Sequence, residues 1–344
     1  MRSDFKVLGV CGAQGALLLP FKKHLVANIE PRGVFHTKNE EQWKLNFEDI
    51  PFFKSLEEFL EKGEDMSRII GPDIIIGSPS CGHSSVFSYS RKKSLGKPKE
   101  DPTLNLFISS VNYFQPEIFL LENLPKLLEF IPVTEWEHNL ENYNIITHCH
   151  SVNAFGNTQK SRKRLVLMGI HKRSKLKVGN FTKLFKVNDP NRTTTQLKKE
   201  VIKENNYREE PTKKLAMYHY KDTSKTTLTV EQVRQLWRGE FRDEFKWPMK
   251  THRMKTLPGV YRNRKNAPPL TVRPSNRQFS AHGRVLGLDE LRVIMGFPRS
   301  FKIYFDSKNP TYWLNKGRNT ITKGSVFEVG LWFKKCLKKG LKRS

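Results

Sequence analysis

The run Ile74-Ile75-Ile76, closed by Gly77 and Pro79, constrains the fold of this chain more than any other feature. β-Branched residues in an apolar run of this length are typical of a strand that is buried on both faces. The Gly, Ser and Pro residues end the strand, and the polar loop that follows carries Cys81. Other segments of strand length and largely apolar composition lie at residues 5–10, 25–30, 117–121, 143–148 and 164–171. Because such runs alternate with helical spacing, most clearly at residues 103–114, the sequence predicts an α/β fold with a doubly wound, mostly parallel sheet.

The strand–helix alternation stops after about Lys172. From there to about Lys265 the chain is polar and rich in lysine, with Trp and Tyr interspersed. Regular spacing returns at residues 288–295, and a final amphipathic helix is predicted at residues 325–341. The sequence therefore predicts an α/β domain over residues 1–172, a smaller basic lobe over 173–287 and a segment over 288–344 that returns to the first domain.

The balance of charge limits the partners of the chain. Lys and Arg number 61 against 34 Asp and Glu, for a formal net charge of +27. Such an excess predicts a nucleic-acid partner rather than a membrane, and no apolar run approaches the roughly 18 residues of a spanning helix. Four cysteines make no disulfide framework, and the N-terminus leaves no room for a signal peptide. We expect a cytoplasmic monomer, with the nucleus left open as an alternative.

A glycine-containing turn links the first two predicted strands. Cys11-Gly12-Ala13-Gln14-Gly15 follows the first strand, and Glu30 ends the second. This order is that of a mononucleotide-binding half-unit, in which the glycines admit a ligand and the acid accepts hydrogen bonds from a ribose. A structural turn with a surface glutamate explains the same residues about as well.

Reactive side chains follow the neighbouring strands. Cys81 comes after one strand and Glu122 ends another, while Arg162 and Arg164 open a third. A thiol, a carboxylate and two guanidinium groups at one rim suit covalent attack on an electron-poor heteroaromatic ring. A buried structural thiol is the alternative for Cys81 alone. No metal is expected, because the His148-Cys149-His150 cluster lacks paired ligands at zinc spacing.

In order and spacing, these segments resemble the cytosine-C5 DNA methyltransferase family. Residues 77–85 are similar to its Gly-Pro-Pro-Cys loop, Glu122-Asn123 to its Glu-Asn-Val motif and residues 159–164 to its Gln-x-Arg-x-Arg motif. Residues 288–298 and 318–321 resemble its Gly-Phe-Pro helix and its closing Gly-Asn-x-Val motif. The basic lobe lies where the family carries its target-recognition domain. The resemblance implies an enzyme that binds double-stranded DNA and S-adenosyl-L-methionine, as in restriction–modification, and leaves open whether a partner endonuclease exists.

The resemblance also implies roles for individual residues. Those implied in catalysis are Cys81, Glu122, Arg162 and Arg164. Those implied in binding S-adenosylmethionine are Val10, Cys11, Gly12, Ala13, Gly15, Glu30, Asp65, Met66, Pro79 and Asn319. Those implied in binding the substrate are Ser84, Ser85, Asn123 and Gln159. Which of Gln159, Lys160 and Ser161 takes the Gln role stays open, because the motif here has one residue more than the family pattern.

The implied mechanism flips a cytosine out of the duplex. Cys81 attacks C6, Glu122 binds N3, and C5 accepts the methyl group. Three other hypotheses remain. An RNA cytosine-C5 methyltransferase would use the same residues, and an inactive relative would only bind DNA. A nicotinamide-dependent dehydrogenase would share the glycine turn and Glu30 but would not call for Cys81 and Glu122.

Overall fold

The computed structural model describes residues 5–31, 36–63, 71–80, 101–151, 162–176, 215–218, 225–228, 260–262, 277–279, 297–298, 300–302 and 327–341. The chain divides into two compact units. The first contains Met1–Phe155, Lys163–Asn188 and Val326–Ser344, and the second contains Gly156–Arg162 and Asp189–Ser325. The domain boundaries at residues 172 and 287 stay a prediction.

The first unit contains a seven-stranded sheet. Its strands are β1 (Val7–Val10), β2 (Leu25–Ile29), β3 (Phe52–Phe53), β4 (Ile74–Gly77), β5 (Ile118–Asn123), β6 (Tyr143–Ser151) and β7 (Lys163–His171). They lie in the order β3-β2-β1-β4-β5-β7-β6. All pairings are parallel except those of β7, which runs antiparallel to both β5 and β6. The predicted doubly wound, mostly parallel sheet is confirmed.

Helices cover both faces of this sheet. They are α1 (His36–Asn46), α2 (Leu56–Gly63), α3 (Pro102–Phe114), α4 (Leu127–Phe130), α5 (Val133–Asn139) and α6 (Phe327–Leu341). One apolar core joins alternate strand residues to Trp43 and to Trp332 and Phe333 of α6. The other joins the opposite strand face to α2, α3 and α5. No helix within the described residues is long and apolar enough to cross a membrane.

The second unit has four described strands. β8 (Leu215–Tyr218) pairs antiparallel with β9 (Lys225–Leu228), and β10 (Val260–Arg262) pairs parallel with β11 (Arg277–Phe279). Sequence analysis predicted no regular elements in this basic region, so these strands are an addition. The segment that joins β8 to β9 is shorter than the segment between β10 and β11.

The segment after the glycine turn differs from its prediction. The apolar residues of the stretch from about Ala16 to Lys23 predict a short helix, but the helical element described there is a single 3-10 turn, Leu19–Phe21. Pro20 lies inside that turn and cannot donate a backbone hydrogen bond, so the segment does not extend into an α-helix. Its packing is apolar all the same, since Leu17, Leu18 and Phe21 are buried.

The C-terminal helix packs closely against that 3-10 turn. A Cβ atom on Gly330 would overlap the backbone oxygen of Leu17, so glycine is required where the two segments meet. One helical turn later, Lys334 Nζ donates a hydrogen bond to the carbonyl oxygen of Pro20. Trp332, Phe333 and Leu337 place their side chains in the core. α6 is thus fixed to the sheet through the chain between β1 and β2.

We predict that Gly330→Ala destabilises the protein. Alanine ordinarily stabilises a helix by about 0.5–1 kcal/mol over glycine, but here the added methyl group overlaps the Leu17 backbone, and overpacking typically costs about 1–3 kcal/mol. Chemical denaturation measures the free energy of unfolding, with Lys335→Ala on the exposed side of the same helix as the control. A Gly330→Ala protein more stable than wild type would contradict this packing.

Candidate active site at the carboxyl edge of the sheet

The turn after β1 adopts an unusual backbone. Cys11 and Ala13 have φ of 57° and 49°, and Gly15 has φ of 84°. Left-handed conformations at two non-glycine residues are uncommon and cluster at ligand sites. Hydrogen bonds fix the turn: Cys11 N–H donates to the Ile29 carbonyl oxygen at 2.7 Å, and Gly15 N–H to that of Gly12 at 2.9 Å. The chain therefore bends sharply at the carboxyl ends of β1 and β2.

Two side chains from β2 and its end hold this turn. Gly12 N–H donates to Asn28 Oδ1 at 3.1 Å, and Ala13 N–H donates to Glu30 Oε2 at 2.8 Å. A Cβ atom on Gly12 would lie 2.5 Å from Asn28 Oδ1, so glycine is required there. The predicted cofactor residues Gly12, Ala13 and Glu30 are thus brought together at one edge, with Asn28 as a partner that sequence analysis missed.

Glu30 has an altered acidity. Burial of its carboxyl group by the surrounding protein raises the pKa to about 7, while hydrogen bonds from the Ala13 backbone and the Asn28 side chain act in the opposite direction. The residue keeps part of its surface exposed. A further donor at this carboxylate, such as a hydroxyl group, would favour the ionised form.

A cleft of about 680 Å³ is lined in part by Pro31, the residue after Glu30. Leu56 and Leu106 add apolar surface, and the remaining lining residues are polar or charged: Lys54, Ser55, Glu57, Glu58, Glu61 and Lys62. A volume of this size is within the range of small-molecule sites, roughly 300–1,000 Å³. The cleft opens where β3 ends and α2 begins, and Ser55 Oγ there accepts a hydrogen bond from Glu58 N–H at 3.1 Å.

Helical spacing at residues 55–62 predicts a helix, which α2 confirms, and Ser55-Leu56-Glu57-Glu58 is its capping box. No cofactor residue was predicted in this helix, and the predicted cofactor residues Asp65 and Met66 lie outside the described residues. Ser55 and Leu56 are therefore candidate site residues that the structure adds.

The carboxylate of Glu122 is held from two sides. Its Oε2 accepts a hydrogen bond from Ser78 Oγ at 2.7 Å, and its Oε1 lies 2.8 Å from Arg164 Nε in an ion pair. Glu122 is 4% exposed. The register explains the geometry, because Glu122 pairs with Val166 and Arg164 lies two residues away on the same face of β7.

The loop that leads to Cys81 is fixed as far as it is described. Asn123 Nδ2 donates to the Pro79 carbonyl oxygen at 3.1 Å, and Ser80 N–H donates to Thr103 Oγ1 at 2.8 Å. The Cys11 thiol in turn contacts the Thr103 carbonyl oxygen at 3.2 Å. The glycine turn, the loop after β4 and the end of β5 are therefore one hydrogen-bonded assembly, and Cys81 is the next residue in the chain after Ser80.

The cysteine of the glycine turn is unsuited to nucleophilic chemistry. Burial raises the pKa of Cys11 well above its usual range, and the charges of Glu30 and Asp101 raise it further. A buried thiol beside carboxylates is held in its protonated form.

Some of the other predicted site residues are described by the structure, and the rest lie outside its described residues. Val10 is buried in β1, and Arg162 is buried directly before β7. The predicted site residues outside the described part of the chain are Asp65, Met66, Cys81, Ser84, Ser85, Gln159 and Asn319, and so are Lys160 and Ser161. Their roles stay predictions.

The histidines of β6 do not form a described metal centre. His148 and His150 stack with ring centroids 5.5 Å apart, and burial lowers the pKa of His148 to about 4. Within the residues that the structure covers, no group of three or more His, Cys, Asp or Glu side chains is arranged to hold a metal ion.

Comparison with known proteins gives one family match. The model of a family described as C-5 cytosine-specific DNA methylase matches residues 33–314. A search of curated protein sequences finds no match.

Solved structures share the fold across nearly the whole chain. A candidate DNA modification methyltransferase encoded within an E. coli prophage has a TM-score of 0.63 and 17% identity, covering 98% of this chain and 99% of that one. The Entamoeba histolytica methyltransferase EhMeth has a TM-score of 0.62 and 12% identity, covering 99% of both chains. The S. pombe Dnmt2 methyltransferase has a TM-score of 0.57 and 13% identity, covering 97% of both.

We predict that Glu30 makes stability depend on pH. Its pKa is about 7 in the folded protein against 4.5 unfolded, so between those values the folded state binds more protons, and the free energy of unfolding falls as pH rises from about 4.5 to 7. At 1.36 kcal/mol per pKa unit the fall is at most about 3 kcal/mol. Urea denaturation of wild type and Glu30→Gln across this range isolates the effect, because glutamine keeps an acceptor for Ala13. A difference between the two proteins that does not change with pH would contradict the assignment.

Proposed function

The chain belongs to the C-5 cytosine-specific DNA methylase family, and we propose that it transfers a methyl group from S-adenosylmethionine to C5 of cytosine in double-stranded DNA. The observation that carries this proposal is the Glu122 carboxylate, held by Ser78 and Arg164 at the edge where the Cys81 loop begins. The cofactor turn lies at the same edge, joined to that loop through Thr103.

The residues around the turn fit an adenosyl group. Glu30 presents a carboxylate that accepts hydrogen bonds from ribose hydroxyls, and because burial raises its pKa to about 7, these added donors would favour its ionised form. Pro31, Leu56 and Leu106 offer apolar surface for a purine in the adjoining cleft. When bound, S-adenosylmethionine supplies an electrophilic methyl group. Asp65, Met66, Pro79 and Asn319 complete the proposed set.

Cytosine C5 is a poor nucleophile until the ring is activated. We assign Cys81 as the thiolate that bonds to C6, which places electron density on C5. Glu122 in its protonated form donates a hydrogen bond to N3, and this proton draws negative charge off the ring as the C–S bond forms. C5 then accepts the methyl group, loses its proton to a base, and the C–S bond breaks to release Cys81.

The partners of Glu122 act by positioning it. Arg164 and Ser78 each hold one carboxylate oxygen, so the acid is oriented before a base arrives and does not need to be ordered during the reaction. We assign Arg162 and Gln159 to the same pocket as groups that bind the flipped cytosine.

DNA is proposed as the substrate on two grounds. The family model describes DNA methylases, and the net charge of +27 suits a polyanion of high charge density. Extracting the target base from the stack costs a few kcal/mol, which phosphate contacts by the basic residues of the second unit would offset. An RNA substrate and an inactive DNA-binding relative are the outcomes that the following experiment separates.

We predict that Cys81→Ser abolishes methyl transfer. Purified protein is given S-adenosylmethionine with a labelled methyl group and either mixed-sequence duplex DNA or folded RNA of the same length. The wild type should label DNA at C5 of cytosine, and Cys81→Ser should lose at least about 10⁴ of the rate, the scale seen when a covalent nucleophile is removed.

The matched control is Cys149→Ser, which alters an exposed cysteine of β6 and should leave the rate unchanged. Methyl product from Cys81→Ser would falsify the nucleophile assignment. Labelling of RNA alone would replace the DNA assignment, and no labelling of either by wild type would favour the inactive relative.

A further inference from the structure

Four lysines form a surface on the first unit that the proposed reaction does not use. Lys335 and Lys338 are exposed on α6, Lys23 is exposed before β2, and Lys334 lies between them. We refer to these four residues as the lysine surface. The opposite side of α6 is mostly apolar, with Val329, Trp332, Phe333, Cys336 and Leu337 in the core, and it also buries Glu328 in the first turn of the helix.

The lysine surface is held in place by its central member. Lys334 Nζ donates to the Pro20 carbonyl oxygen and lies 5.9 Å from the centre of the Phe21 ring. Gly330, one turn earlier, lets α6 approach the Leu17 backbone. Helix and turn therefore hold the backbone positions of these lysines at a fixed separation, which lowers the entropic cost of binding a ligand there.

The charges of Lys338 and Lys23 act on Lys334, so these three members of the lysine surface lie close together. Burial lowers the pKa of Lys334, and the charges of Lys338 and Lys23 lower it further. Ion pairs between described residues lie elsewhere, at Lys44–Glu40, Lys62–Glu58 and Arg164–Glu122, and no described carboxylate pairs with these four lysines. Like charges held together in this way favour a polyanion that relieves the repulsion.

The lysine surface lies at the amino edge of the sheet. Val7 N–H donates to the His24 carbonyl oxygen at 2.8 Å, which places Lys23 next to the first residues of β1 and β2. The glycine turn and Glu30 follow the last residues of the same strands. At about 3.3 Å per residue these strands of four and five residues span roughly 13–17 Å, and the candidate active site is on the far side of them.

We propose that the lysine surface binds the phosphate backbone of a second segment of duplex DNA while the first segment occupies the active site. Duplex DNA has a persistence length of about 150 base pairs, and bending 20–30 base pairs by 40–90° costs about 1–6 kcal/mol. A short duplex held at the carboxyl edge therefore does not fold back to the amino edge. The second segment is another duplex, or a distant part of a long one.

Two bound segments allow direct transfer between them. A second duplex that docks on the lysine surface is held beside the protein before the first duplex leaves, so the protein moves along or between DNA molecules without a free intermediate. This inference rests on the proposed function in one respect, which is that the polyanion is DNA. Its test measures DNA binding and does not require methyl transfer, so a failure of this inference can be distinguished from a failure of the proposed function.

The experiment measures the dissociation rate of a fluorescent duplex of about 16 base pairs at increasing concentrations of unlabelled duplex. For wild type the rate should rise with competitor concentration, because the competitor binds first. For Lys335→Gln/Lys338→Gln the rate should be independent of competitor. For wild type, the part of the salt slope for binding the second duplex that comes from Lys335 and Lys338 should be about 1.8, because each phosphate that a lysine neutralises contributes about 0.9. Lys334 is left unchanged because it holds α6 to the turn.

The matched control is Lys44→Gln/Lys172→Gln, which removes two exposed lysines elsewhere and should behave as wild type. Thermal unfolding should be unchanged in both variants. The proposal is overturned if the wild-type dissociation rate does not depend on competitor, if Lys335→Gln/Lys338→Gln keeps that dependence, or if wild type binds no duplex. A lipid ligand would also overturn the proposal. That result would be seen if wild type and the control bind phosphatidylserine vesicles, the Lys335→Gln/Lys338→Gln variant does not, and the variant's dissociation rate still depends on competitor DNA.

Discussion

The ion pair between Glu122 and Arg164 is the interaction on which the rest of the site depends. Both side chains are largely buried, at 5% and 15% exposed, and a buried charge is tolerated only when it is paired. Because Ser78 holds the second carboxylate oxygen, the ends of β4, β5 and β7 are joined through one acidic group. β7 contributes Arg164 at this edge because it is the antiparallel strand, so its first residues lie beside the last residues of β5.

The glycine turn at the ends of β1 and β2 is likewise held by side chains from a neighbouring strand. Backbone N–H groups of the turn are satisfied by Asn28 and Glu30, so that its left-handed residues are stabilised by β2 and not by the turn alone. Thr103, at the start of α3, then contacts both Cys11 and Ser80. The glycine turn and the first residues of the loop after β4 are therefore positioned by shared neighbours, so the proposed cofactor and catalytic residues that the structure describes lie at one edge of the sheet.

Much of this arrangement could be predicted from residues that act locally. Ile74–Ile76 specifies a buried strand by β-branching alone, and Glu30 and Glu122 were identified because each closes such a run. The strand at β5 nevertheless extends through Asn123, since pairing with β7 continues beyond the apolar residues. Asn28, Ser78 and Thr103 could not be identified as site residues, because their roles come from contacts between strands and helices distant in sequence. Ser55 and Leu56 were not identified as site residues for a different reason. They follow β3, which is only two residues long and gives no strand pattern in the sequence, so the end of a strand could not be located there.

A double-mutant cycle on Glu122 and Arg164 tests the dependence of the site on this ion pair most directly. The free energy of unfolding is measured for wild type, Glu122→Gln, Arg164→Met and the double variant. Each single change leaves a buried group without its partner, so we predict that the two effects are not additive and differ from their sum by about 1–3 kcal/mol. Additivity within about 0.3 kcal/mol would show that the two residues do not interact, and the acid at the carboxyl edge would then lack the support on which the proposed chemistry relies.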